Sequence, residues 1–236
     1  MNAFLFQADP VTLIEKRTIR HASMLASKGS IEITSVTLDG IDDAPANRYA
    51  VPVGTVEFCR AWMERCGIQE PGPLDFPVSL RRFLGRNLER LENYAAAPLG
   101  AWVKPVRTKA WDAHVKAAGT PPEGEVWASG PLRLIAEWRV YVLNGCALGL
   151  GRYDDGEEDD LEFSQQTLMD MLSAYSGSGE APRAYALDIA LTHDLKTVLI
   201  EATDAWAIGF YKGSCSPAHY AELLASRWRE IAGNTK

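Results

Sequence analysis

The first half of the chain alternates short apolar runs with segments of helical periodicity. Apolar runs of strand length predict three strands, at AFLF (3–6), IEITSVTL (31–38) and RYAVPVG (48–54). Between the first two, residues 12–27 carry apolar side chains at helical spacing. We expect a second helix capped by Gly54, and a third, basic helix over residues 79–92 with its arginines on a solvated face. Strands alternating with helices predict α/β organisation for this region.

Hairpin signals dominate the second half. Apolar runs predict strands at AWVKPV, at EVWAS and along RLIAEWRVYVLNGCALGLGRY. Asn144 and Gly145 predict a tight turn within the last of these, because both positions of such a turn favour residues that tolerate positive φ. Helices are predicted over residues 164–175 and from Ser216, with Pro217 at the first helical position. The overall class is therefore α+β, with an α/β front.

Composition limits the classes of partner. The 236 residues carry a formal net charge of −7, which argues against a general nucleic-acid or anionic membrane surface. No apolar run approaches the 18 residues of a membrane span, and the N-terminus lacks a secretory signal pattern. The four cysteines form no metal-ligand pair, which is typical of idle thiols in a reducing compartment. We therefore expect a cytoplasmic protein that binds neither nucleic acid nor membrane.

A hairpin over residues 186–206 places two acids on one sheet face. If its turn centres on Asp194 and Leu195, Asp188 lies directly opposite Glu201, while Ile189 opposes Ile200 on the apolar face. Like charges directly opposite each other are destabilising, so each acid would gain from a cation between them. Magnesium binds oxygen ligands and often uses one or two protein carboxylates with substrate phosphates. The alternative is two acids on a solvated face.

Several cations accompany these acids on neighbouring strands. Lys104 lies within an apolar strand, where it needs a partner or must extend to solvent. Glu137 and Arg139 share a strand face, and the Asn144 turn would place Arg152 opposite Glu137. A cross-strand ion pair explains Glu137 and Arg152 without any function, but leaves Arg139 as a second cation. Together these charges are what a triphosphate and its magnesium ion require.

The order of motifs resembles the ATP-grasp superfamily, in particular small stand-alone ATP-grasp domains of bacteria and phages. The similar segments span about residues 48 to 230 and are VPVGTVEFCRAWM (51–63), FPVSLRRFLGRN (76–87), WVKPVRTKAW (102–111), AEWRVYVLNG (136–145), YALDIAL (185–191), LIEATDAWAIGFYKG (199–213) and YAELLASRW (220–228). The resemblance implies an ATP-grasp fold, in which two antiparallel-sheet lobes hold ATP after a small α/β region. We expect that region at 1–95 and the ATP-grasp domain at 96–236, with a small lobe to 132 and a C-terminal lobe from 133.

The resemblance also implies roles for individual residues. Lys104, with Lys109 nearby, would contact the ATP phosphates, and the hinge that contains Ser129 and Leu132 would meet the adenine edge. Other site residues would be Glu137 in the nucleotide site, Arg139 and Arg152 at the γ-phosphate and acyl phosphate, and Asp188, Glu201 and Thr203 at magnesium. Relatives usually carry Asn where this chain has Thr203, whose hydroxyl is a weaker oxygen ligand. This departure puts catalytic efficiency in doubt.

The resemblance therefore implies an ATP- and magnesium-dependent ligase. It would join a small-molecule or peptide carboxylate to an amine through an acyl phosphate. One alternative is a non-catalytic ATP-grasp domain that binds nucleotide or a partner, which Thr203 favours. Another is an unrelated fold in which the charges form surface pairs.

Replacing Thr203 separates the catalytic alternative from the non-catalytic one. Thr203→Asn supplies an amide carbonyl from nearly the same place, so we expect it to keep or raise activity. Thr203→Val preserves the shape but removes the oxygen, so the apparent affinity for magnesium should fall. ADP release measured against magnesium concentration compares the three proteins. Identical curves for the wild type and Thr203→Val would show that Thr203 is no ligand.

Overall fold

In the computed structural model, the chain begins with a three-stranded parallel sheet. The structure describes residues 3–9, 14–27, 32–119, 123–154, 161–211 and 213–233. Strands β1 (Ala3–Gln7), β2 (Ile33–Val36) and β3 (Ala50–Val53) pair in the order β2-β1-β3, and helix α1 (Ile14–Ser27) connects the first two. Parallel neighbours need such crossover connections. The three predicted strands and the first helix are confirmed, although Leu13, an apolar position of that helix prediction, lies outside the described residues.

Helix α2 (Val56–Arg65) follows β3, one residue later than predicted. The expected cap, Gly54, is wrong: the Oγ1 atom of Thr55 accepts from the amide of Phe58 at 3.2 Å and caps the helix. A hydroxyl can accept this bond, whereas glycine offers no side-chain acceptor. Gly54 instead allows close packing, since a Cβ atom there would lie 2.5 Å from Oε1 of Gln7.

The predicted basic helix over residues 79–92 is wrong. The segment forms a 3-10 helix, Val78–Phe83, and then strand β4 (Leu88–Leu91). Gly85 separates them with φ +63°, and a Cβ atom there would lie 2.6 Å from Cγ1 of Val198. A left-handed residue ends a helix, and only glycine fits this close approach to the next sheet.

Strand β4 belongs to a four-stranded antiparallel sheet, which we call the small-lobe sheet. It also contains β5 (Trp102–Pro105), β6 (His114–Val115) and β7 (Val126–Ser129), in the order β4-β7-β5-β6. The predicted boundary at residue 95 would separate β4 from its partner β7. The division into domains stays a prediction.

A second antiparallel sheet, the C-terminal sheet, contains the two predicted hairpins. Strands β8 (Leu134–Leu143), β9 (Cys146–Arg152), β10 (Ala184–Thr192) and β11 (Thr197–Asp204) pair in the order β11-β10-β8-β9. Asn144 and Gly145 have φ of 49° and 75°, as the turn signal predicts. Helix α3 (Gln165–Gly177) packs with the Leu187 side of β10, whereas helix α4 (Pro217–Ile231) shares a core with Ala186 and the parallel sheet. No helix in the described ranges is long and apolar enough to cross a membrane.

The acid hairpin keeps its predicted register only beyond the turn-proximal part. Asp188 opposes Glu201 as predicted, but Ile189 opposes Leu199 rather than Ile200. The actual turn is offset from the assumed one, and the bulge that leaves Ile200 unpaired restores the register at the acids. The bulge therefore keeps Asp188 and Glu201 opposite each other.

A bulge also changes the first hairpin. Beyond the pair of Val142 and Ala147 the register shifts, and Arg152 lies opposite Trp138. The predicted opposition of Glu137 and Arg152 is therefore wrong. A one-residue slip moves a side chain to the other sheet face, which is why this pair cannot form across the strands.

An ion pair ties α4 to the end of β11. The guanidinium of Arg227 donates to both oxygens of Asp204, at 2.8 and 2.6 Å, and also reaches Glu230 at 2.8 Å. The side chains of Arg227 and Asp204 are only 9% and 7% exposed. Such a pair stabilises through its geometry, because losing one partner leaves the other charge buried.

We expect Asp204→Asn to lower the free energy of unfolding by about 3 kcal/mol, the low end of the range for breaking a buried pair, because Glu230 remains. Urea denaturation measures the change. Asp194→Asn is the matched control, since the side chains of Asp194 and its partner Lys196 are 61% and 74% exposed. An equal effect of both substitutions would contradict the argument.

Candidate active site

A cleft of about 380 Å³ lies between the small-lobe sheet and the C-terminal sheet. It brings together five of the predicted site residues, which are Lys104, Lys109, Leu132, Glu137 and Glu201. They come from β5 and its following loop, from the connection to β8, and from β8 and β11. Clefts that collect polar groups between two sheets are typical ligand sites.

Lys104 forms the centre of this cleft. Its Nζ atom donates to Oδ1 of Asp75 and to Oε2 of Glu201. Burial acts against the ammonium ion, but the two carboxylates outweigh it and raise the pKa of Lys104. The lysine in the apolar strand therefore has partners, and the snorkelling alternative is wrong.

Asp75 is the main residue that the sequence analysis missed. It is 7% exposed, has φ of 40°, and accepts from Nε1 of Trp127 at 3.0 Å. Its backbone carbonyl accepts from the amide of Ala202 at 2.7 Å, so the linker is joined to β11. Burial raises the pKa of Asp75 despite the nearby Lys104 ammonium. No periodicity marks Asp75, because it lies in a Pro- and Gly-rich linker.

Asp188 is neutralised separately from Glu201. Nε and Nη2 of Arg139 donate to its two oxygens at 2.7 and 2.6 Å, and its side chain is 2% exposed. Burial opposes the charged guanidinium, but Asp188 raises the pKa of Arg139. The ring centroids of Tyr153 and Tyr211 lie 5.7 and 5.2 Å from the guanidinium carbon of Arg139. The expected repulsion between the two acids is thus offset by a cation on each.

Arg152 and Glu137 have other partners than predicted. Arg152 donates to Asp154, with Nη2 2.7 Å from Oδ1, and Glu137 accepts from the hydroxyl of Tyr153 at 2.7 Å. Oδ2 of Asp154 accepts from the amide of Glu137 at 2.6 Å. Burial raises the pKa of Glu137. Arg152 is therefore held at the edge of the site, outside the residues that line the cleft.

Thr203 and Ser129 flank the cleft. Oγ1 of Thr203 donates to Oε1 of Glu201 at 3.4 Å, so the predicted shared face is confirmed. Ser129 is buried at the end of β7, where its hydroxyl donates to the carbonyl of Gly130 at 2.9 Å. It lines a separate groove of about 610 Å³.

The donor set of Asp188, Glu201 and Thr203 is suited to magnesium in its chemistry, because all of its donors are oxygens. Asp188 and Glu201 are also directly opposed on adjacent strands. Within the described residues, no three His, Cys, Asp or Glu side chains form a group that could hold a metal ion. The set therefore offers two carboxylates and a hydroxyl, and other ligands would have to come from substrate or water.

Arg86 also lines the cleft, although its position suggested a solvated helix face. Its guanidinium carbon lies 4.3 Å from the ring centroid of Trp102, and Nη2 donates to the carbonyl of Ile200 at 3.4 Å. Its Nε atom is buried and has no hydrogen-bond partner in the part of the chain that the structure describes. Burial lowers the pKa of Arg86. The incorrect helix prediction concealed this residue, because it assigned Arg86 to the wrong element.

Comparisons with known proteins agree with this architecture. A family model described as an ATP-grasp domain, the third family of its clade, matches residues 34–231. No curated protein matches the chain. Among solved structures, a D-alanine–D-alanine ligase from Bacillus anthracis has a TM-score of 0.59 and 14% identity, with 100% of both chains covered.

Two further solved structures share the fold. A RimK domain ATP-grasp protein from Sphaerobacter thermophilus has a TM-score of 0.55 and 14% identity over 98% of each chain. The N5-carboxyaminoimidazole ribonucleotide synthetase from Thermotoga maritima has a TM-score of 0.56 and 7% identity, covering 96% of this chain and 76% of that one. At these identities the likeness shows the fold alone.

The Arg139–Asp188 pair leads to a prediction about stability without metal. On the sequence alone, removing one of two opposed acids would leave stability unchanged or raise it. Because Arg139 neutralises Asp188, we now expect Asp188→Asn in magnesium-free buffer to lower the free energy of unfolding by about 3 kcal/mol or more. Urea denaturation tests this, with the exposed Glu125→Gln as control. Unchanged or increased stability would mean that repulsion from Glu201 dominates.

Proposed function

The chain belongs to this family of ATP-grasp domains, and on that basis we propose that it is an ATP- and magnesium-dependent ligase. Its reaction would join a carboxylate to an amine or a related nucleophile. The observation that carries the proposal is the cleft between two antiparallel sheets, with Lys104 and Glu201 at its centre. The partners would be a small-molecule or peptide carboxylate and an amine, in the cytoplasm, without nucleic acid or membrane.

Cationic side chains would receive the nucleotide phosphates. Lys104 and Lys109 line the cleft from the small lobe, and charge-assisted contacts to phosphate are among the stronger hydrogen bonds. Ser129 and Leu132 would flank the adenine, near Glu137. Arg139 and Arg152 would act on the transferred phosphoryl group and the developing acyl phosphate. Arg152 would have to leave Asp154 to do so, so its role is the least supported of these.

Asp188, Glu201 and Thr203 would hold magnesium, which supplies charge neutralisation at the phosphates when bound. The chain itself would contribute positioning and electrostatic stabilisation, since phosphoryl transfer needs little covalent help. The substrate carboxylate would accept the terminal phosphoryl group, with ADP leaving. The amine would then attack the acyl carbon, and inorganic phosphate would leave.

A non-catalytic nucleotide-binding or interaction protein is the second candidate. Two observations favour it: Thr203 stands where relatives usually carry Asn, and Lys104 is already paired with both Asp75 and Glu201. ATP must displace at least one of these contacts to reach the lysine. The two candidates differ in turnover, because only the ligase releases ADP in the presence of substrates.

The test of the proposed function is ADP release across pools of small acids, amino acids, peptides and amines, with magnesium. Release that requires both an acid and an amine is the expected result. ATP binding without release from any pool would favour the non-catalytic candidate. Absence of ATP binding would contradict both.

Lys104→Ala tests the site directly. We expect ATP affinity to fall about ten-fold or more, because a hydrogen bond to a charged group contributes about 1.5–3 kcal/mol. Isothermal titration calorimetry measures the affinity, and circular dichroism checks the fold, since Asp75 and Glu201 lose their shared cation. Lys196→Ala removes an exposed lysine at the hairpin turn and is the matched control. Wild-type affinity in Lys104→Ala would remove Lys104 from the site.

A further inference from the structure

A second, smaller cavity adjoins the cleft. Its volume is about 90 Å³, and three of its lining residues, Lys104, Lys109 and Glu201, also line the cleft. A molecule in this cavity would therefore meet the contents of the cleft at these three side chains. If the phosphates of ATP lie at the lysines, the cavity opens where a phosphoryl acceptor must lie.

The cavity is small by the standard of ligand sites. A single water needs roughly 10–15 Å³ of such volume, whereas typical ligand pockets measure about 300–1,000 Å³. The space of about 90 Å³ thus holds more than one water but excludes a large organic ligand. It has room for on the order of three to six non-hydrogen atoms.

The walls combine an apolar surface with a cation. Pro73, Leu74, Trp206 and Ala207 supply apolar contacts. Asp75 and Glu201 also line the cavity, but Lys104 neutralises them jointly. Among the described residues, Lys109 has no ion-pair partner, so its ammonium is available for an anionic group. An apolar wall and an unpaired cation suit a small aliphatic body with one carboxylate.

Helix α2 braces two of the walls. Nη2 of Arg60 donates to the carbonyl of Thr108 at 2.9 Å, and its guanidinium carbon lies 5.9 Å from the ring centroid of Trp206. Glu70 holds the same guanidinium through hydrogen bonds of 2.9–3.0 Å. The loop that carries Lys109 and the wall formed by Trp206 are therefore held at a defined separation before any ligand binds, which reduces the cost of binding.

We propose that this cavity binds the acyl substrate and selects a compact aliphatic carboxylate. Lys109 receives the carboxylate at the junction with the cleft, and Trp206 and Ala207 limit the size of the aliphatic body. The assignment of the ligand as the acyl substrate rests on the proposed ligase function. Binding in the cavity is measurable without turnover.

Saturation-transfer difference NMR tests the proposal on the full chain with magnesium and a non-hydrolysable ATP analogue. The probes are acetate, propionate, alanine and phenylacetate at millimolar concentration. We expect saturation of the three compact carboxylates and none of phenylacetate. Ala207→Leu should reduce the affinity for propionate ten-fold or more by filling the cavity, and Lys109→Gln should reduce it several-fold. Ala118→Leu and Lys196→Gln are the matched controls at exposed positions outside the site.

Each outcome decides the proposal. It is overturned if no compact carboxylate binds the wild type, if phenylacetate binds as well as propionate, or if both site variants bind propionate as the wild type does. Lys109 is exposed, so its variant keeps the test valid if Ala207→Leu does not fold. Calorimetry of the ATP analogue on the same samples reports the nucleotide site separately. Failure of nucleotide binding would contradict the ligase function, whereas loss of carboxylate selectivity alone would contradict only the cavity assignment.

Discussion

The ammonium group of Lys104 joins three separate parts of the chain. It belongs to the small-lobe sheet, and its partners are Asp75 in the linker and Glu201 in the C-terminal sheet. Burying any one of these charges alone would be costly, so each is stable in its place only because the others are there. This constraint places the two sheets on either side of the cleft and holds the linker across its end.

The same arrangement has a consequence for nucleotide binding. Phosphates that approach Lys104 compete with two carboxylates for one cation, and the cluster of three carries a residual negative charge. A divalent cation at Asp188 and Glu201 would reduce that charge, so magnesium and ATP would assist each other in binding. Arg139 neutralises Asp188 in a parallel way on the next strand. The site is thus assembled from ion pairs that ligands would have to rearrange.

Irregularities in the sheets place the charged residues as much as the regular pairing does. The bulge at Ile200 restores the opposition of Asp188 and Glu201 after an offset turn, and the bulge in the first hairpin moves Arg152 away from Glu137. Gly85 allows the segment after the 3-10 helix to approach β11 closely, which positions Arg86 in the cleft. Each is a local departure from regular structure that redirects a side chain.

The amino-acid sequence by itself determined most of the elements and one pairing of the site. Periodicity and turn residues specify most of the strands, the helices α1 to α4 and the opposed acids, because these depend on neighbours along the chain. It also identified Lys104 and Arg139, since charged residues within apolar strands need partners. The tertiary structure decided what those partners are. Lys104 lies 29 residues from Asp75 in sequence and 97 from Glu201, so no local pattern could connect them; only the packing of the linker against both sheets does.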